Sequence, residues 1–468
     1  MPPELVHAKA ETNRGRWECR RPLSRGAYFS IGVWLMLLKY AGEAACIWYV
    51  TGKVYAPLDF INPLAEARRE FTAPGPDWLT PLWMLWTAPF VAIAVWFTIR
   101  RAIDAGRSPW WGLAILVPFV NFAVMIAFAL APSRPAPAPA AEPPLFAAPP
   151  SSLASPGGAM LLGIAGGALY AIGLTVLSIY ALGSYGAALF FGTPLLSGAI
   201  ASFTYNFERR RGWAGSLLIS LLPVIAVGAA LIVLALEGAI CLVMAAPIML
   251  PLALVGGAFG KTIASLSRAD VQRSRELAGC LVVLPLLALG ETRLPHNYEF
   301  CATSSVEVDA PPEVVWRNVV DFPPIESPEP WLFRLGIAGP QGARIEGQGV
   351  GAVRHCDFST GSFVEPITAW DEPRRLAFDV TDQPDPMFEL SPYREVRPPH
   401  LAGSFRSTRG QFVLEPLPGD RTRLSGSTWY RLDLAPQAYW TMWTDWIVHR
   451  IHGRVLQHIK TLAEAAAP

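Results

Sequence analysis

The chain has 468 residues, 52% of them hydrophobic and only 16% charged. Soluble domains average about 25% charged, so this composition points to a large bilayer-embedded part. The formal net charge of +1 conceals a split: 21 acidic against 16 basic residues from Cys301 onward, and 16 against 22 before it. A mildly acidic segment behind a basic membrane part argues against a nucleic-acid partner, because phosphate binding needs a concentrated basic face.

The first 25 residues are polar and Arg-rich, so no cleavable signal peptide is expected. Apolar windows near the ~20 residues needed to cross a bilayer predict spans near 28–50, 79–98, 109–131, 159–181, 185–204, 213–236 and 238–259. Leu277–Gly290 is shorter, 14 residues with Pro285 at its middle; it is expected to be a short span, with re-entrant and interfacial helices as the alternatives. Lys39 and Glu43 stand four apart inside the first span, on one helix face, where they neutralise each other. Small residues in "GIAGGALYAIG" favour close helix packing.

Basic residues cluster at 14–25, 100–107, 209–211 and 261–275. Basic loops favour the cytoplasm, yet three predicted spans separate the second cluster from the third. Either one segment is re-entrant or one cluster breaks the rule. The Pro-Ala repeats near 133–157 cannot build a core and read as a linker. The expected parts are thus 20–132 (three spans), 133–157 (linker), 158–292 (a second bundle) and 298–466 (a soluble domain).

From residue 300 the period changes. "SSVEVD", "GVGAVRHCDF", "GSFVEPITAW", "RRLAFDVTD", "SFRSTRGQFVLEPL" and "TRLSGSTWYRLDL" read as strands punctuated by Gly, Pro and Asp. A helix follows from about 436 to 466, with Trp440, Trp443, Ile447, Ile451, Val455, Ile459 and Leu462 on one face. Asp309 is placed to cap a short helix begun by Pro311 and Pro312, with Val314, Val315 and Val319 facing the sheet. A curved antiparallel sheet covered by one long helix leaves space between them. The six cysteines show no metal-binding spacing; Cys301 and Cys356 are the two in the soluble part that an oxidising compartment could join.

Two stretches, "VEVDAPPEVVWRNVVDFPPIESPEPW" and "YWTMWTDWIVHRIHGRVLQHIKTLAE", resemble the START and birch-pollen-allergen superfamily, also called SRPBCC or polyketide-cyclase-like. The resemblance spans roughly 300–466 and implies an α+β helix-grip fold with a cavity for a hydrophobic ligand. It fixes no reaction. "RRAIDAGRSPWWGLAILVPFVNF", with "PLSRGAYF" before the first span, resembles a bacterial inner-membrane family of unknown function, domain of unknown function 805, over about 20–132. That family shows His beside the Asp of the first run, where this chain has Ile103.

The cavity-lining candidates are Arg354, Glu365, Arg409, Trp429, Tyr430, Tyr439, Trp440, Trp443 and His449. Indole and phenol rings suit an amphipathic ligand, and the charged groups suit its polar head. Alternation sends Arg354 and His355 to opposite faces without saying which is inside. Arg100, Arg101, Arg107, Trp110 and Trp111 are candidates for lipid headgroups at the interface. No catalytic residue, metal or cofactor is predicted. Three function classes remain: a membrane-tethered module that binds or carries a lipid or other amphipathic molecule, a structural or regulatory membrane protein with a protein-contacting C-domain, and a cyclase- or hydrolase-type enzyme. An inner-membrane location is expected. A crossing by Leu277–Gly290 would put the soluble domain outside the cytoplasm.

Overall fold

The computed structural model describes residues 23–62, 70–72, 74–76, 78–116, 120–134, 155–266, 272–293, 298–393 and 396–466. Most of the expected linker lies outside them. Six described helices are long and apolar enough to cross a membrane: Arg25–Thr51, Leu82–Asp104, Pro156–Ala181, Ala188–Asn206, Trp213–Val233 and Ala239–Ser265. The chain forms two compact units. One contains Met1–Gly166, Gly198–Ser220 and Leu254–Val283; the other contains Gly167–Ser197, Leu221–Ala253 and Leu284–Pro468.

In the first unit, Lys39 and Glu43 pair as expected, with Glu43 buried. Gly163 packs so closely on a neighbouring helix that a Cβ would sit 2.6 Å from the Ala201 carbonyl oxygen, which is the close approach small residues allow. The expected third span does not form. Its place is taken by a 3-10 helix, Pro109–Leu116, and an eleven-residue α-helix, Val120–Leu130. Eleven residues rise only about 16 Å, roughly half a hydrocarbon core. The 3-10 helix lies against Leu79–Asp104 at Gly112, where a Cβ would sit 2.3 Å from Ile99.

The segment returns to the level it left. The Arg134 amide donates to the Asp104 carbonyl at 2.8 Å, and the Arg101 Nε donates to the Phe128 carbonyl at 2.9 Å. The described residues of 105–134 therefore turn back onto the helix they leave. Among the described residues two candidate crossings separate each basic cluster from the next.

In the second unit, seven antiparallel strands form a curled sheet in the order β1-β7-β6-β5-β4-β3-β2. They are β1 (Glu299–Val308), β2 (Pro340–Glu346), β3 (Val353–Phe358), β4 (Gly361–Asp371), β5 (Arg375–Asp379), β6 (Phe405–Leu417) and β7 (Arg421–Leu432). The C-terminal helix, Gln437–Ala466, crosses the concave face, giving a helix-grip fold. Its last turns bury Val455, Leu456 and Ile459 against Val308, Val319, Leu376 and Leu424. The short helix Pro312–Val320 buries Val315 and Val319, as its sequence spacing requires. Its N-cap is Pro311 with no side-chain cap. Asp309 does not cap it; the Asp309 amide instead donates to Glu464 at 2.9 Å.

Strand β2 was not anticipated, because its Pro340, Gly342 and charged residues hide the alternation. It is an edge strand, where such residues are tolerated. Cys301 on β1 and Cys356 on β3 are separated by four intervening strands, and both are free. At about 4.8 Å per strand the separation is far beyond disulfide reach.

Single cysteines replacing Arg107 and Arg134, in a chain otherwise free of cysteine, are expected to react with a membrane-impermeant maleimide from the same side of the membrane. Labelling from opposite sides would mean that residues 109–130 cross.

Candidate functional site

A cavity of about 590 Å³ occupies the space between the concave sheet and the C-terminal helix. Its walls include Phe378 and Phe412 of the sheet and Leu456 of the C-terminal helix; it continues between helix segments lined by Val224, Ala246 and Leu250. Phe190 joins the two stretches, its ring meeting the Trp440 ring at 4.9 Å.

The strand period places the polar groups. Arg354 and Cys356 point inward from β3, and His355 points out. Arg354 faces Glu365 directly across the β3–β4 ladder, and the two side chains form a buried ion pair. The guanidinium is 1% exposed and ringed by Phe322, Phe378 and Phe412 at 5.5–5.8 Å. The Cys356 thiol lies against the guanidinium, but Nε and Nη2 make no hydrogen bond of good geometry, so both can serve an acceptor that enters. Burial pushes the Glu365 carboxyl up, with Arg354 opposing. Burial also pushes the Cys356 thiol up to about 12. At that value it is neutral and a poor nucleophile.

A second polar group lies on the C-terminal helix. His452 Nε2 is 2.8 Å from Thr428 Oγ1, and its Nδ1 is 3.2 Å from Ser304 Oγ. Ser304 Oγ also lies 2.7 Å from His449 Nδ1.

Of the nine expected lining residues, Arg354, Glu365, Arg409 and Trp440 border the cavity. Arg409 is half-exposed, pairs with Glu299 at 2.9 Å and lies over the Trp429 ring. Tyr430 is fully buried and donates to Asp445 at 2.5 Å, and the Tyr439 hydroxyl donates to the Met244 carbonyl. Trp443 stands beside the face that carries Trp440, Thr444, Ile447 and Ile451 to the cavity, and packs on Trp446. His449 borders a separate depression with Arg450 and Arg454. Helical spacing identified the aromatic turns but not which of them faces inward.

One group escaped sequence reading. Tyr185, Glu237, Cys241 and His400 meet on the cavity wall from three distant stretches of chain. Cys241 Sγ is 3.0 Å from His400 Nε2, His400 Nδ1 is 3.5 Å from Glu237 Oε1, and the Tyr185 hydroxyl donates to Glu237 at 3.3 Å. Burial and the adjacent Glu237 carboxylate push the Tyr185 phenol up. Glu237 and Cys241 share an i,i+4 spacing, but nothing in the sequence connects that pair to Tyr185 or His400, so only the fold could gather all four.

Residues 299–464 match the family described as "Polyketide cyclase / dehydrase and lipid transport". The C-terminal domain is polyketide-cyclase-like. Residues 20–139 match "Protein of unknown function (DUF805)". Similar solved structures include a Streptomyces aromatase/cyclase, at 15% identity over 36% of this chain and 100% of that one, TM-score 0.25. Another is truncated norcoclaurine synthase from Thalictrum flavum, at 14% identity over 36% and 96%, TM-score 0.25. A third is Ara h 8.0201, at 14% identity over 36% and 99%, TM-score 0.24. No curated protein matches the chain.

In the DUF805 segment the headgroup candidates separate. Arg101 is fully buried, paired with Asp104 and bonded to the carbonyls of Phe128 and Ala131. It anchors the returning segment and is not available to a headgroup. Trp110 is also buried, 5.7 Å from the Phe203 ring. Arg107 and Trp111 are exposed and Arg100 is half-buried.

The polyketide-cyclase-like domain should carry a pH signature at His452. Burial, reinforced by His449, pulls this imidazole from 6.5 down to about 4. The unfolded chain therefore binds the proton first. Stability from the neutral ring is complete above about pH 6.5 and falls as pH drops toward 4, by roughly 3 kcal/mol at most. His452→Gln should flatten this part of the acid limb when thermal unfolding is followed across that window. An unchanged limb would place the neutral imidazole elsewhere.

Proposed function

We propose that this protein takes an amphipathic, lipid-like molecule from the bilayer into the helix-grip cavity and holds it by its polar head at Arg354. The observation that carries this reading is the continuity of one apolar cavity from membrane-type helix segments to a buried, partly unsatisfied guanidinium. A tail moving from bilayer to apolar cavity gains little, because both surroundings are apolar. Selection then rests on the head, where unmet donors in a low-dielectric site reject a ligand lacking acceptors. The match to a family described with lipid transport supports the same reading. A protonated Cys356 and a Glu365 held in an ion pair favour carriage over cyclase or hydrolase chemistry. A cavity instead of a filled core favours it over a purely structural role.

The domain division expected from sequence belongs to this proposal: membrane parts at 20–132 and 158–292, a linker at 133–157 and the ligand domain at 298–466. So does the location, an inner membrane with the ligand domain outside the cytoplasm. In support, two candidate crossings lie between each basic cluster and the next among the described residues, a pattern that suits one shared face, and basic loops favour the cytoplasm. Gln272–Glu291 is a 20-residue helix, about 30 Å long and sufficient to cross. Its last residue accepts a hydrogen bond from the Ala188 amide at 3.1 Å. The ligand domain bonds to the loops at that same end of the helices, through Ala435 to Tyr185 and through Leu390 to Ala239.

Mass spectrometry of the purified full chain should find a co-purifying lipid. Arg354→Met should reduce it about tenfold or more, the effect of losing a buried hydrogen bond to a charged group, while the exposed-site control Cys301→Ser should retain it. A wild-type chain free of lipid would sink the carrier reading.

A C-terminal alkaline phosphatase fusion should be active and a green fluorescent protein fusion dark. The reverse would put the domain in the cytoplasm.

A further inference from the structure

Glu237, Cys241 and His400 bring a carboxylate, a thiol and an imidazole together at the cavity wall, with one donor atom from each lying within 4.8 Å of the others. Glu237 and Cys241 stand four apart around the start of the Ala239–Leu266 helix. His400 comes from the 3-10 turn Pro399–Ala402. Glu389 sits against Gly238, and its Oε2 accepts the Ile240 amide at 3.2 Å.

Two further observations mark this cluster as a site. Glu237 is 7% exposed, and while its Oε1 receives the Tyr185 hydroxyl, its Oε2 has no hydrogen-bond partner. The partly buried Glu389 carboxylate adjoins the same group, in hydrogen-bond contact with the Cys241 thiol. Among the described residues no Lys or Arg forms an ion pair with either carboxylate; His400 is the one basic group beside Glu237. A buried carboxylate with an unmet oxygen and no Lys or Arg beside it is costly, and a divalent ion would neutralise it.

The geometry points to a zinc-type divalent metal site formed by Cys241 Sγ, the His400 imidazole and a Glu237 carboxylate oxygen. Thiolate, imidazole and carboxylate are the donors zinc takes, and a tetrahedral shell spaces them by about 3.5 Å, so sub-ångström to ångström adjustments close the shell. Tyr185 orients Glu237 from behind, the outer-sphere role such sites use. Three protein donors leave a fourth position, and all three border the cavity, so that position faces whatever occupies it. The site does not rest on the carrier reading, because the metal alone is the probe.

The test uses the full chain in detergent, loaded with Co²⁺. One equivalent per chain is expected, with a thiolate-to-cobalt charge-transfer band that added Zn²⁺ removes. Cys241→Ser should abolish the band, and His400→Gln and Glu237→Gln should each weaken binding at least tenfold. Cys301→Ser should leave it intact. No band in the wild type, or a band that survives Cys241→Ser, overturns the site. If Cys241→Ser does not fold, the unsubstituted chain decides. Zn²⁺ should then slow alkylation of Cys241, read by peptide mass spectrometry, without slowing that of exposed Cys301. Equal alkylation of Cys241 with and without Zn²⁺ also overturns it.

Discussion

A seven-stranded sheet that curls around one helix cannot be filled by that helix, and the polar chemistry of this protein depends on the space left over. Helix side chains reach the sheet at the far end, where Val455, Leu456 and Ile459 close the core. Toward the start of the helix the sheet diverges and the cavity opens. Only inside such a cavity can Arg354 be fully buried yet keep two donors unmade. Glu365 makes that burial tolerable, because an unpaired guanidinium among three phenylalanine rings would be strongly destabilising.

The same logic operates in the membrane part. The last turn of Val120–Leu130 leaves backbone carbonyls without a partner inside the helix. Arg101 supplies the donors, reaching the carbonyls of Phe128 and Ala131 while Asp104 balances its charge. A residue that reads in sequence as a topology marker or a headgroup contact thus serves as the internal anchor of the fold. Lys39 and Glu43 satisfy each other in the same manner within a single helix.

Local sequence signals were informative where the physics is local. Alternation gave six of the seven strands, and helical spacing gave the C-terminal helix to within about a residue. It missed β2, whose glycine, proline and charges suit an edge but break the pattern. Hydropathy overcounted at 109–131, because it measures apolarity and not helical continuity; the described residues there form two short elements. Asp309 had the right residue type for a cap and the wrong position for one.

By itself the sequence determined the two classes of structure in this chain and the helix-grip architecture, since these follow from periodicity, composition and motif. Tertiary structure decided which face is inside. Strand alternation is symmetric, so Arg354 and His355 were equivalent until the sheet curled over one of them. Tertiary structure likewise gathered Tyr185 and His400, 215 positions apart, around the Glu237–Cys241 pair. Proximity between distant positions is a property of the folded chain, and no local pattern encodes it.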